Sequence, residues 1–290
     1  MLFADHALAR RLEAAEAEGA RQYAWAYARI VPAAGAAWED VAGGCAAYTG
    51  VGSPITQAQG LAVSEPISAA QLDTIEAFYR ERGSRVQIML CPLADPTLLP
   101  LLKERGYQLA EMENVLVRPI SAADLHLPPP SGVTVRRAAD SESDLFCRIV
   151  ARGFQEHKDQ LFQAAPVAEV DAQFLEIFRV AFGTAGNLSF LSFLNGTAIG
   201  GGSVFIHQGV AMLNGASTLP EFRARGSHAA LYHARLRAAV EAGCDMARVV
   251  TQPGSTSQRN AERRGFRVAY TRAAMVREWA GEQHAVSRGQ

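Results

Sequence analysis

Leu219-Pro220-Glu221-Phe222-Arg223-Ala224-Arg225-Gly226-Ser227-His228 is the stretch of this 290-residue chain on which the fold turns. It joins a strand pattern, Val210 to Thr218, to a helical one, Ser227 to Ala242. The helix signal is the apolar stripe Ala230, Leu231, Ala234, Leu236, Ala239 and Val240, ended by Gly243. The first turn of a helix leaves its N–H donors unpaired, and the dipole adds positive potential there. A turn that brings Gly226, Arg223 and Arg225 to that end therefore has the makings of a pyrophosphate cradle. Gly226 lets backbone approach the phosphates without a Cβ, and the two arginines add charge at the rim.

The flanking residues continue the pattern. Upstream, Leu188 to Leu194 is a dense apolar run, Asn195-Gly196 is a hairpin turn signal, and Thr197 to Ile206 forms the return strand before a second turn at His207-Gln208-Gly209. Downstream come a buried strand from Met246 to Val250, a short helix from Gln258 to Arg264 closed by Gly265, and a last strand from Arg267 to Val276. Antiparallel hairpins that pass into strand–helix–strand make a mixed α/β (α+β) fold.

With these blocks in place, the segment Thr218 to Gly226 resembles the acetyl-CoA pyrophosphate loop of the GNAT (GCN5-related N-acetyltransferase) family, whose signature is Q/R-x-x-G-x-G/A. Arg223 and Gly226 fill its first two fixed places, whereas His228 stands where the family prefers Gly or Ala. The block Thr251 to Phe266 resembles the strand–loop–helix on the other side of the cofactor, and the likeness spans about residues 133 to 278. It implies two central strands that splay around acetyl-CoA. Ser217 and Leu219 would then meet the pantetheine arm through their backbones, and Thr218, Ala224, Ser227 and His228 would complete the loop around Arg223, Arg225 and Gly226. Ser257 and Asn260 fall where the family supports the diphosphate or the pantetheine.

The activity so implied is direct transfer of acetyl from acetyl-CoA to the amine of a small molecule. Alternatives are a non-catalytic acyl-CoA-binding or sensor protein and a protein-directed acetyltransferase. The family often uses a tyrosine four residues before the Gly of the Gly-Phe pair as general acid, and that position is Ala261. Replacement candidates are Ser257, one turn earlier, and Tyr270, on the following strand. Glu156, in a charged segment read as a loop from Gly153 to Asp159, is the candidate base.

The first half carries a faint echo of the second. Tyr107 to Phe266 and Arg118 to Arg277 keep the same spacing of 159 residues, and Gly83 ends a helix before Val86–Leu90 much as Gly243 does before the strand at 246. Two GNAT-like domains are expected, each a twisted mixed sheet flanked by helices. The first, 1–120, is degenerate, because its counterpart loop Val63 to Ala70 lacks glycine and arginine and carries Glu65. A Pro-rich linker at 121–132, a cofactor-binding domain at 133–280 and a tail at 281–290 complete the division.

Bulk properties narrow the partners. Twenty-eight Lys and Arg against 29 Asp and Glu leave a net charge of −1, which disfavours nucleic acid. There is neither a signal-peptide pattern nor a charge-free apolar run long enough for a bilayer, so a cytoplasmic protein without membrane association is expected. Cys45, Cys91, Cys147 and Cys244 lack paired spacing, which fits reduced buried thiols and no metal. A monomer or a homodimer is equally compatible.

Overall fold

The computed structural model describes residues 3–162 and 172–279, the side chains of 155–162 excepted. In chain order its elements are α1 (His6–Ile30), β1 (Ala37–Val41), β2 (Gly44–Tyr48), β3 (Gln57–Gln59), α2 (Ala69–Arg80), β4 (Val86–Leu90), α3 (Leu98–Glu104), β5 (Gln108–Pro119), β6 (Thr134–Arg137), α4 (Ser143–Phe162), α5 (Ala172–Phe182), β7 (Asn187–Leu194), β8 (Thr197–His207), β9 (Val210–Thr218), α6 (Ser227–Glu241), β10 (Met246–Thr251), α7 (Thr256–Glu262) and β11 (Arg267–Arg277).

The chain divides by contact into two units, one of residues up to Val117 together with those from Val250 onward, the other Arg118–Val249. In the first, β1 and β2 form a hairpin across Ala42-Gly43, both at positive φ, β3 adds antiparallel, and β4 adds parallel to β3 after the α2 crossover. The apolar face of α2, Leu72, Ile75, Phe78 and Tyr79, packs with Val86 and Ile88 of β4. Each such side chain contributes about 1.5–3 kcal/mol when removed from water. On α1 the contact face is Ala17, Ala20 and Ala24, small enough to lie against Cys45 and Ala47 of β2.

In the second unit β6, β7, β8 and β9 form an antiparallel meander and β10 joins β9 in parallel after α6. Phe146, Ile149 and Val150 of α4 and Phe178 of α5 pack with Leu191 and Leu219, while Ala230 of α6 packs with Ile199 and Val133. The strand and helix positions expected from the sequence are recovered here to within two residues at each end.

Helix ends in the two halves share a local device. Gly83 and Gly243 both adopt positive φ after a helix, and the next amide reaches back identically, Ser84 N to Tyr79 O and Cys244 N to Ala239 O. The same device recurs after α3 and α7, where Gly106 and Gly265 have positive φ and Tyr107 N and Phe266 N reach back to Leu102 O and Ala261 O. These are left-handed helix caps that satisfy the last carbonyls.

The boundaries of the compact units differ from a linear cut at the prolines. Residues 250–279 pack with the first 117, because β11 lies between β4 and β5, antiparallel to both. Trp279 anchors that end, its indole N–H bonded to Ser84 O at 2.8 Å and its ring under Arg80. Nor is the segment 121–132 a loose tether. Arg118 pairs with Asp124, Ile120 N bonds Asp245 O, and Leu127 O bonds His233 Nε2 at 2.9 Å.

Candidate cofactor site

In the second unit β9 pairs with β10 from Val210 through Met212, opposite Met246 through Arg248. Beyond Met212 the pairing of β9 is with β8 alone among the described residues, so Leu213 to Thr218 present an open strand edge. The edge leads straight into the cradle. Pro220–Phe222 form one 3-10 turn, Arg223 is extended, Ala224 and Gly226 take positive φ of 62° and 88°, and α6 begins at Ser227. A left-handed Ala costs about 1–2 kcal/mol, strain of the kind that gathers at ligand clamps.

No side chain caps α6, and its first ladder bond is Ala230 N to Gly226 O. Arg223, Ala224, Arg225 and Gly226 are exposed around that end. Glu221, the one acid in the turn, is paired with Arg152 at 3.0 Å, which draws its charge toward α4. The result is an N-terminus that offers backbone donors and two cations to an anion.

Beneath the exposed rim the cradle is fixed by hydroxyls. Ser227 Oγ, buried, lies 2.8 Å from Ser192 Oγ and accepts from Thr218 Oγ1 at 3.1 Å. Ser217 Oγ donates to Val150 O at 3.0 Å, so only its backbone faces the strand edge. Of the Leu219 backbone groups expected to meet the pantetheine, the N–H is bonded to Ile199 O at 2.9 Å and the carbonyl accepts from Phe222 N at 2.9 Å. The His228 ring stands edge-on to Tyr232, with centroids 4.9 Å apart, on the half-buried side of the first turn.

The corresponding end of α2 shows what a filled helix start looks like. Ser68 Oγ accepts from Gln71 N and Gln71 Oε1 accepts from Ser68 N, a complete capping box. The nearby groove is rimmed by Glu39, Asp40 and Glu65. The box takes up Ser68 N and Gln71 N, and along the groove these three acids stand with one cation, Arg21.

Ser257, Asn260 and Tyr270 lie in the other unit. The N-cap of α7 is Ser255, whose Oγ accepts from Gln258 N at 3.1 Å, so Ser257 sits exposed in the first turn and the helix starts two residues earlier than expected. Asn260 is half-buried on the same helix, and Ala261 is fully buried. Gln258 holds this turn by accepting from Gly254 N at 2.8 Å and Asn114 Nδ2 at 3.2 Å. Tyr270 is buried and its hydroxyl donates to Glu13 Oε1 at 2.7 Å. Burial and then the charge of Glu13 hold its proton well above the ordinary tyrosine range. Its proton is committed to a core carboxylate that also faces Arg272. Glu156 falls inside α4, not in a loop, and its side chain lies outside the described residues.

The four cysteines are buried and free, with Cys45 and Cys91 pushed up to about 12 and Cys147 to about 11 by burial, which leaves them inert as nucleophiles. Among the described residues there is no cluster able to hold a metal ion, and no helix is long and apolar enough to cross a membrane.

Against solved structures, the chain superposes on a GCN5-related N-acetyltransferase from Kribbella flavida with a TM-score of 0.63, over 94% of this chain and 96% of that one, at 19% identity. The chain has the GNAT fold. Lower likenesses within the same fold are a GCN5-related N-acetyltransferase from Sphaerobacter thermophilus (15% identity, 72% and 67% covered, TM-score 0.49) and a tandem GNAT protein from the clavulanic acid biosynthesis pathway (14%, 71% and 68%, 0.48). No protein-family model matches the sequence. No curated protein matches it either.

Three features of the site escaped the sequence reading. Gly200-Gly201-Gly202 on β8 lies under the cradle, and a Cβ on Gly200 would stand 2.4 Å from Ser227 Oγ. Ser192 completes the hydroxyl chain. Arg235 is buried on α6 among its apolar stripe. The glycine run carried a signal, since Gly inside a strand marks a bulge or a close approach. An arginine in an apolar helical stripe carried one too.

Proposed function

We propose that this protein is an acetyl-CoA-dependent N-acetyltransferase that acetylates the amine of a small molecule by direct transfer. The observation that carries the reading is the uncapped start of α6, with Gly226 at positive φ and Arg223 and Arg225 exposed beside it, at the end of a strand edge left open from Leu213 to Thr218. The diphosphate of coenzyme A fits the donors and charge at the helix end, and its extended pantetheine fits a strand edge. The thioester would supply the acyl group, and this chain's residues bind and orient it.

Direct transfer needs a neutral amine and a proton for the departing thiolate. Tyr270 hydrogen-bonded to Glu13 is poorly placed to give one up, and Ala261 has none. Ser257, exposed on the first turn of α7, and Glu156 of α4 remain the candidates for acid and base, with a bound water as carrier. The same gap favours a second reading, a protein that binds acyl-CoA without turning it over.

Calorimetry with acetyl-CoA and with coenzyme A, followed by thiol release with a panel of small amines, separates the two. Micromolar binding with turnover on at least one amine is expected. Binding without turnover on any acceptor, small or protein, leaves the sensor reading, and no binding sinks both. In the double variant Arg223→Ala/Arg225→Ala both ligands should bind about tenfold more weakly, roughly 1.4 kcal/mol, and the loss should shrink at high salt.

A further inference from the structure

Arg272, buried in β11, meets three carboxylates at once. Glu113 stands opposite it across the β5 ladder and accepts from its Nη2 at 3.2 Å. Glu16 of α1 lies 3.0 Å from the same nitrogen, and Glu13, one turn earlier on α1, lies 3.6 Å from Nη1. One guanidinium forks onto one carboxylate, whereas further carboxylates gathered in the same low-dielectric space repel each other.

The three acids are not equally placed. Glu13 is buried and has a second donor, the Tyr270 hydroxyl at 2.7 Å. Glu113 is half-buried and faces one cation, Arg272, against Glu13 and Glu16 of α1 and Glu111 of its own strand, two residues back on the same face. The other titratable side chains of the cluster bring no charge, since burial holds the Tyr270 proton well above its ordinary range and pushes Cys91 up to about 12. Burial likewise raises the Glu113 carboxyl above its ordinary 4.5 against the pull of Arg272, and the charges of Glu111 and Glu13 add to the rise.

We infer that Glu113 is a proton-operated latch between α1 and the inserted strand: neutral, it leaves the Arg272 charge to Glu13 and Glu16 and α1 seats on β11; ionised, it competes for that charge and loosens both elements. All the parts belong to the first unit, and the inference is independent of the acetyl-CoA reading. Its sign is the reverse of an ordinary ion pair. A carboxyl whose folded value is raised contributes its stability in full below the unfolded value, near 4.5, and loses it as pH climbs through the folded value. The latch closes toward mild acid and opens above it.

The test is urea unfolding of the full chain between pH 4.5 and about pH 8, with deuterium exchange over residues 8–20 and 267–277, for wild type, Glu113→Gln and Glu111→Gln. Glu113→Gln keeps the shape and the acceptor of the neutral form. At the alkaline end its exchange in both segments should be roughly threefold slower than wild type or more, and its urea midpoint higher, with the gap closing toward pH 4.5. Glu111→Gln keeps an acceptor for Gln252 Nε2 but removes the like charge, so it should move the wild-type pH transition to lower pH. A Glu113→Gln protein less stable than wild type at the alkaline end reveals an ordinary ion pair and overturns the inference. A gap that does not change with pH, including no gap, overturns it as well. If Glu113→Gln does not fold, Glu111→Gln decides: a pH transition shifted down supports the latch, and one left in place or shifted up refutes it.

Discussion

Gly200 is where the cradle is most sensitive to a single methyl group. A Cβ there would lie 2.4 Å from Ser227 Oγ, 2.8 Å from Ser192 Oγ and 2.8 Å from Ser217 O, with backbone and buried hydroxyls on every side and no flexible chain end to yield. Gly200→Ala should therefore cost about 1–3 kcal/mol by overpacking, seen as a lower urea midpoint. Because the displaced atom is the hydroxyl that fixes the first residue of α6, the same variant should weaken acetyl-CoA binding by more than any change in the folded fraction explains. The sequence showed Arg223 and Gly226 because their roles are local: a turn and a helix start. It was silent on Ser192 and Ser227 as partners, 35 residues apart, since such a contact depends on which strand lies under the helix.

At the scale of elements, the starts of α2 and α6 differ: one is capped by a side chain and the other is not. Removing the cap of α2 with Ser68→Ala should destabilise by about 1 kcal/mol and leave acetyl-CoA affinity alone. Gly226→Ala meets nothing within 4 Å, so its effect is conformational, about 1–2 kcal/mol for a side chain at φ 88°. Binding should fall with it, because Gly226 shapes the phosphate site. Chemical denaturation and calorimetry on the pair give the contrast directly.

The approach to α4 carries a pH signature. Glu142 accepts from Arg136 and from Ala139 N, and these bonds, the arginine first, lower its carboxyl from 4.5 to about 2. A depressed carboxyl stabilises the fold above its unfolded value and loses that contribution as pH falls from about 4.5 toward 2. Glu142→Gln should flatten stability against pH in that window, an effect that salt diminishes because the pair is exposed. Helices and strands from Leu188 to Val276 were legible from periodicity and Asn-Gly or Gly punctuation. The Glu156 segment misled because its charged residues, Glu156 to Asp159, look like a loop although they continue the helix begun at Ser143.

For the molecule as a whole, chain order and spatial grouping part company at residue 250. The Pro-rich segment was legible, yet the sequence offers no local sign that β11 inserts between β4 and β5, because strand order is set by pairing between residues 150 to 191 apart. The insertion is sealed by charge. Arg272 of β11 is 3% exposed and meets Glu16 at 3.0 Å, Glu113 at 3.2 Å and Glu13 at 3.6 Å, and Glu76 takes Arg277 at 2.6 Å. Breaking such a buried pair by removing one partner costs about 3–5 kcal/mol, the loss expected for Arg272→Met in urea unfolding. A fragment of residues 121–290 keeps β11 and Arg272 but has neither neighbouring strand nor the three acids, so it should aggregate when expressed alone. Expressed together with a fragment of residues 1–120, it should co-purify as a one-to-one complex, with β11 supplying the pairing and acetyl-CoA binding restored. A soluble, monomeric 121–290 fragment with wild-type affinity for acetyl-CoA would show instead that the cofactor site stands without the first 120 residues, and that the pairing of the inserted strand is dispensable to it.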